Sequence, residues 1–143
     1  MSDKFFLDTN VIVYSFDQAN PAKRDRAKAL IARALESGDG VVSSQVLQEF
    51  LNVALKKWKP ALSTPDAREF LTSVMIPLCE VYPGPAYYEG ALEIKERSGF
   101  SFYDSLILQA AREARCRIVY SEDMQHGFKL FDLTIVNPFA ESG

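Results

Sequence analysis

The sequence predicts an α/β domain built on a parallel sheet. Three observations carry that class. Short β-branched and aromatic runs alternate with stretches of helical spacing, no two strand-like runs form a hairpin pair, and the helical stretches are bounded by capping or breaking residues. At 143 residues and 48 % hydrophobic, the chain reads as one domain over residues 1–143, able to fill a sizeable core.

Phe5-Phe6-Leu7, bounded by polar residues, reads as a buried first strand, and Asp8 stands at its carboxyl end. Val11-Ile12-Val13-Tyr14 is a second apolar segment, followed by a turn through Asp17-Gln18-Ala19-Asn20. Asn20-Pro21 opens a helix with Ala27, Leu30, Ile31, Ala34 and Leu35 on one face, and Gly38 stops it. Gly40–Ser44 reads as the next strand, and a helix from Ser44 through Val46, Leu47, Phe50, Leu51 and Ala54 ends near Lys57. Ser63-Thr64-Pro65-Asp66 starts another helix with Phe70, Leu71, Val74 and Met75 on its face, closed by Pro77. Cys79–Tyr82 fits a strand near a sheet edge. Gly84-Pro85 begins a helix that Gly99 stops, and Ser101 caps one carrying Leu106, Ile107, Ala110 and Ala111. Arg117–Ser121 and Leu133–Val136 complete the strands.

Several function classes fall away on composition. No apolar stretch approaches the roughly 18 residues of a spanning helix, and Met1-Ser2-Asp3-Lys4 lacks the layout of a secretory signal. Cys79 and Cys116, far apart and in apolar surroundings, read as buried thiols rather than a disulfide or metal site, which fits a cytoplasmic protein. A net charge of −3 argues against a sequence-independent binder of bulk nucleic acid but not against an enzyme that acts on it. Lys23, Arg24, Arg26 and Lys28, and then Lys56, Lys57 and Lys59, form two local basic patches, open to phosphate or simply to solvent.

The acids carry the chemistry. Asp8 follows one strand and Asp123, with Glu122 beside it, follows another. Glu49 lies at the edge of an apolar helix face, one turn from Val46 and Val53. Asp104 lies in a first helical turn, where Ser101-Phe102-Tyr103-Asp104 also fits a capping box. Each has an ordinary structural use as a cap or boundary residue, but parallel strands share one carboxyl edge, where open sheets place their ligand crevices. Carboxylates about 5 Å apart repel by about 3 kcal/mol per pair at an effective dielectric near 20. A cluster of four therefore takes up protons or binds a cation. Oxygen donors without His or Cys suit Mg²⁺ or Mn²⁺, and such an ion suits phosphate chemistry.

Leu7-Asp8-Thr9-Asn10, Glu49, Ser101-Phe102-Tyr103-Asp104-Ser105 and Ser121-Glu122-Asp123 resemble the PIN-domain nucleases, with the VapC-like toxins of type II toxin–antitoxin pairs nearest. Tyr120–Gly127 and Asn137-Pro138-Phe139 resemble a particular subgroup of those toxins. The resemblance implies a three-layer α/β/α sandwich around a parallel sheet of four to five strands. It also implies Mg²⁺- or Mn²⁺-dependent endoribonuclease activity, a homodimer and inhibition by a small antitoxin. Asp8, Asp104 and Asp123 would be the metal ligands, with Glu49 as the fourth catalytic acid. Thr9, Asn10 and Ser121 would brace them or contact phosphate. Glu122 competes with Asp123 for the last place, and strand phase favours Asp123. His126, alone in a loop beside Gly127, reads as a surface residue rather than a general base.

Two other readings stay open. A phosphatase- or receiver-like domain would use Asp8 as phosphoryl acceptor, but Asn10 stands where a phosphatase wants a second acid, and a receiver's paired acids are missing. A nuclease-like fold kept only as a protein-binding module would have lost acids, and none is lost.

Overall fold

Phe5, Phe6 and Leu7 form the strand β1 (Phe5–Leu7), and none is more than 1 % exposed, as expected where helices cover both faces of a strand. The computed structural model describes residues 2–140; Met1 and residues 141–143, the ends of the expected 1–143 domain, lie outside the described residues. β1 is flanked by β2 (Gly40–Ser43) and β4 (Ile118–Tyr120), both parallel to it. β3 (Cys79–Val81) extends the sheet beyond β2, and β6 (Leu133–Val136) extends it beyond β4. The order is β3-β2-β1-β4-β6-β5, so five strands are parallel, as the sequence predicts, and β3 lies at the edge.

The sixth strand corrects the expectation of no hairpin. β5 (Lys129–Leu130) runs antiparallel to β6, pairing Lys129 with Thr134 and Leu130 with Leu133. Two residues are too few to show alternation. The turn also places Phe131 at φ 53°, a left-handed conformation that normally announces itself by Gly or Asn.

The helices follow the caps. α1 (Thr9–Tyr14) contains the second apolar segment, with Asp8 as its N-cap. Its Val-Ile-Val run favours strand by propensity, but the cap and the buried Val11 and Ile12 hold it helical. α2 (Pro21–Ser37) ends on Gly38 at φ 74°. α3 (Ser44–Asn52) continues as a π-helical turn over Val53–Lys57. α4 (Thr64–Phe70) passes through a second π-helical turn, Leu71–Met75, into α5 (Ile76–Leu78), so the helical path outlasts Pro77 by one residue. α6 (Pro85–Ser98) ends on Gly99 at φ 78°, and α7 (Phe102–Glu113) packs along it. Cys116 is buried as expected, Cys79 only partly, and both thiols are free.

The topology fixes where a site can form. From β1 to β2 the chain steps one way along the sheet through α1 and α2. From β3 to β4 it steps back the other way through α6 and α7. Right-handed crossovers therefore put α2 and the α6–α7 pair on opposite faces, giving the three layers. The reversal falls between β1 and β4, and the carboxyl ends of those two strands open a crevice there. No helix among the described residues is long and apolar enough to cross a membrane.

The contact between α2 and β2 is close enough to test. A Cβ added at Gly40 would lie 2.0 Å from Ala34 Cβ and 2.7 Å from Ala34 Cα. Gly40→Ala is expected to cost about 1–3 kcal/mol in urea unfolding, the usual range for overpacking. Ala34→Gly in the same chain should recover part of that loss.

Candidate active site

Backbone pairing runs one residue past the end of β1. Asp8 N–H donates to Tyr120 O, and Ser121 N–H donates to Val136 O, which sets Asp8 beside Ser121 at the reversal point. Asp8 is buried, 7 % exposed. Its Oδ1 accepts Thr9 N–H at 2.7 Å and its Oδ2 accepts Ser121 Oγ–H at 2.7 Å. The ordinary capping role is therefore real, yet it leaves a carboxylate sealed in a crevice. Burial pushes its pKa up to about 6; bonds from Ser121 and Thr9 oppose the rise, and the charges of Glu49 and Asp123 add to it.

Asn10 joins the two strand ends. Its Nδ2 lies 3.2 Å from Asp123 Oδ2, 3.4 Å from Ser121 Oγ and 3.5 Å from Asp8 Oδ2. Its Oδ1 accepts Glu122 N–H at 3.2 Å. Thr9 reaches the other way, donating from Oγ1 to Glu49 Oε1 at 2.5 Å.

Glu49 is also held from its own helix. Gln45, one turn earlier on α3, donates from Nε2 to Glu49 Oε2 at 3.3 Å and to Tyr103 O at 3.3 Å. Tyr87 Oη–H donates to Gln45 Oε1 at 3.4 Å. Gln45 thus links Glu49 to the start of α7, where Asp104 sits. The sequence reading missed it; the i, i+4 spacing to an acid was the available signal.

Asp104 occupies the capping box, its N–H donating to Ser101 Oγ at 3.1 Å. Its pKa is raised, chiefly by partial burial, against a lowering bond from Ser101 and with added repulsion from Asp123 and Glu49. The four expected acids therefore form a chain of repulsion: Asp8 feels Glu49 and Asp123, and Asp104 feels the same two. Among the described residues, no three acidic, Cys or His side chains close into a ready metal cage. Ser121, Asn10, Thr9 and Gln45 hold the carboxylates of Asp8, Asp123 and Glu49 in place. The atoms here able to bind a metal are oxygens of acids and hydroxyls, with the Asn10 Nδ2 donating to them, and oxygen donors of this kind fit a hard divalent cation.

Glu122 faces elsewhere. Its Oε1 accepts Tyr14 Oη–H at 2.6 Å and its Oε2 pairs with Lys23 Nζ at 2.6 Å. Partial burial pushes its carboxyl up, but the bonds from Lys23 and Tyr14 and the charge of Lys23 outweigh this and leave it below the usual range. His126 is exposed in its loop, and its Nδ1 accepts Asn137 N–H at 2.9 Å.

The basic patches divide. Lys23 is taken by Glu122, Arg24 pairs with Asp25, and Arg26 Nε donates to Pro138 O. Lys57 and Lys59 instead line a groove of about 1180 Å³ with Trp58 and Asn52, and the same groove reaches Thr9, Asn10, Glu49 and Asp123. A separate groove of about 420 Å³ lies between Phe16, Ile31, Leu35 and Phe70, with Arg24 and Lys28 on its rim.

Comparison with solved structures finds the same fold with low sequence identity. A toxin–antitoxin complex from Klebsiella pneumoniae aligns at a TM-score of 0.66 and 16 % identity, over 95 % of this chain and 98 % of that one. FitAB bound to an IR36 DNA fragment aligns at 0.62 and 21 %, over 97 % and 98 %. VapBC2 from Rickettsia felis, bound to a DNA fragment from their promoter, aligns at 0.55 and 20 %, over 83 % and 87 %. No curated protein matches the chain in sequence. The family model of the PIN domain matches residues 5–129, a span that holds β1, β4 and all four acids. The chain belongs to the PIN domain family.

Proposed function

We propose that this chain is a Mg²⁺- or Mn²⁺-dependent endoribonuclease and the toxin of a toxin–antitoxin pair. The observation that carries the reading is Asp8: a carboxylate buried at the sheet's reversal point, its pKa raised to about 6, with further acids repelling it. A strongly perturbed acid in a cleft, shifted by burial and by specific charged neighbours, marks a candidate functional site. Asp8, Asp104 and Asp123 would hold the ion. When bound, it would supply charge to activate water and to steady the phosphate oxygens as they gain negative charge.

The chain's own groups do the positioning. Glu49, fixed by Thr9 and Gln45, accepts a proton from the attacking water. Ser121 and Asn10 hold Asp8 and Asp123 in register across the two strand ends. Lys57 and Lys59 draw the RNA backbone along the groove towards the acids. Water's oxygen attacks phosphorus, the bond to the 3′ oxygen breaks, and that oxygen takes a proton from solvent, leaving a 5′-phosphate and a 3′-hydroxyl.

The family resemblance supports a cytoplasmic protein that pairs with a second copy of itself and with a small antitoxin. The structural neighbour from Klebsiella pneumoniae, a toxin–antitoxin complex, supports the antitoxin partner at the level of fold. The test is direct. Purified chain with end-labelled single-stranded RNA should cut in Mn²⁺, stop in EDTA, and leave 5′-phosphate ends. Cutting that persists in EDTA, or that leaves cyclic phosphates, contradicts the reading.

A further inference from the structure

Three parts of the chain meet at Glu122: α1 through Tyr14, α2 through Lys23 and the loop after β4 through Glu122 itself; the C-terminal segment packs Phe139 against Tyr14 and Lys23. Both carboxylate oxygens are taken, one by Tyr14 Oη–H and one by Lys23 Nζ, each at 2.6 Å. Lys23 Nζ also lies 3.4 Å from Tyr14 Oη, and stands 4.8 Å from the centre of the Tyr14 ring and 5.7 Å from that of Phe139. The Tyr14 and Phe139 rings meet edge to face at 4.8 Å. An Arg26 bond to Pro138 O fastens that last segment back onto α2.

Stability alone is a poor account of this arrangement. The Lys23 and Glu122 side chains are 36 % and 24 % exposed, and pairs so open to water contribute little to folding. What the arrangement fixes is direction. With its side chain drawn towards α1 and α2, Glu122 offers its N–H to Asn10 Oδ1, and Asn10 Nδ2 in turn meets Asp123 Oδ2 at 3.2 Å. The same asparagine touches Asp8 and Ser121. The two adjacent acids are thereby sorted, one into an ion pair and the other towards the acid cluster.

We propose that Lys23 and Tyr14 clamp the Glu122 carboxylate so that the loop after β4 presents Asp123, and not Glu122, to the metal-binding acids. Lys23 is a positioning residue for that site. The inference rests on the proposed metal-dependent nuclease reading for its purpose, but not for its measurement.

The test uses the full chain with Lys23→Met, Glu122→Ala and the conservative Lys23→Arg. Amide hydrogen exchange in the metal-free protein should quicken about tenfold at residues 122–123 in the first two, while the rest of the sheet stays protected. Mn²⁺ affinity by calorimetry should fall about tenfold, the lower end of the range for groups that orient metal ligands. Turnover of RNA should fall with kcat while KM holds, and Lys23→Arg should restore most of each readout. Three results overturn the clamp. In one, exchange and Mn²⁺ affinity match the wild type. In another, KM rises with kcat and affinity intact, which makes Lys23 an RNA contact. In the third, Glu122→Ala abolishes Mn²⁺ binding while Lys23→Met is silent, which makes Glu122 the ligand. The exchange readout needs neither metal nor RNA, so it decides the clamp even where the nuclease reading fails.

Discussion

Asp8→Asn is expected to abolish RNA cleavage while the chain stays folded. Groups that merely orient metal ligands already cost 10–100-fold when removed, so loss of a ligand should lower kcat by more than about a hundredfold. Stability should move the other way. Ionised Asp8 is buried among Glu49 and Asp123, and its pKa of about 6 against an ordinary 3.8 corresponds to roughly 3 kcal/mol of strain in the charged form. The neutral amide removes that strain and keeps an oxygen for Thr9 N–H, while the Ser121 hydroxyl turns to accept. Metal-free Asp8→Asn at about pH 8 should therefore unfold in more urea than the wild type, by about 1–3 kcal/mol. A destabilised and inactive variant would instead mean that Asp8 is a structural cap.

The same shift sets a pH dependence. The folded pKa of Asp8 lies above the unfolded one, so between them the folded state holds the extra proton. Stability from this group is intact below about pH 4, declines as pH rises towards 6, and changes no further above that, a total of roughly 3 kcal/mol. Asp104 is shifted in the same direction and adds to the slope. A divalent cation that binds only the folded state reverses the loss, by about 2.7 kcal/mol at a hundred times its dissociation constant. Urea unfolding of the wild type in EDTA across this window should show the decline. Added Mn²⁺ should flatten it, and Asp8→Asn should shrink it in EDTA.

Much of the fold was legible because its signals are local. Pro21 and Gly38 bound α2, although the Asn20 side chain turns to Asp17 instead of capping it, Gly99 ends α6, and Ser101 caps α7. The strand runs were legible for the same reason, and the alternation of strand and helix fixed a parallel sheet. What escaped depends on contacts across the chain. The Thr9–Tyr14 helix overrides the strand preference of its β-branched residues, and the β5–β6 hairpin turns on Phe131 without a glycine. At the site, the four acids were legible as acids whose positions share an edge. Thr9, Asn10 and Ser121, expected to brace them, do touch them. Other holding contacts were not legible: Gln45 lies one turn from Glu49 among many such pairs, and Glu122 finds Lys23 across 99 residues of chain. No spacing rule reaches that far.

A calorimetric titration of Mn²⁺ into the metal-free chain at neutral pH tests the central claim most directly. The account predicts saturable binding that disappears in the Asp8→Asn, Asp104→Asn double variant with the fold retained. A wild-type chain that takes up no Mn²⁺, or a double variant that binds it as tightly, would contradict a divalent ion shared among these carboxylates.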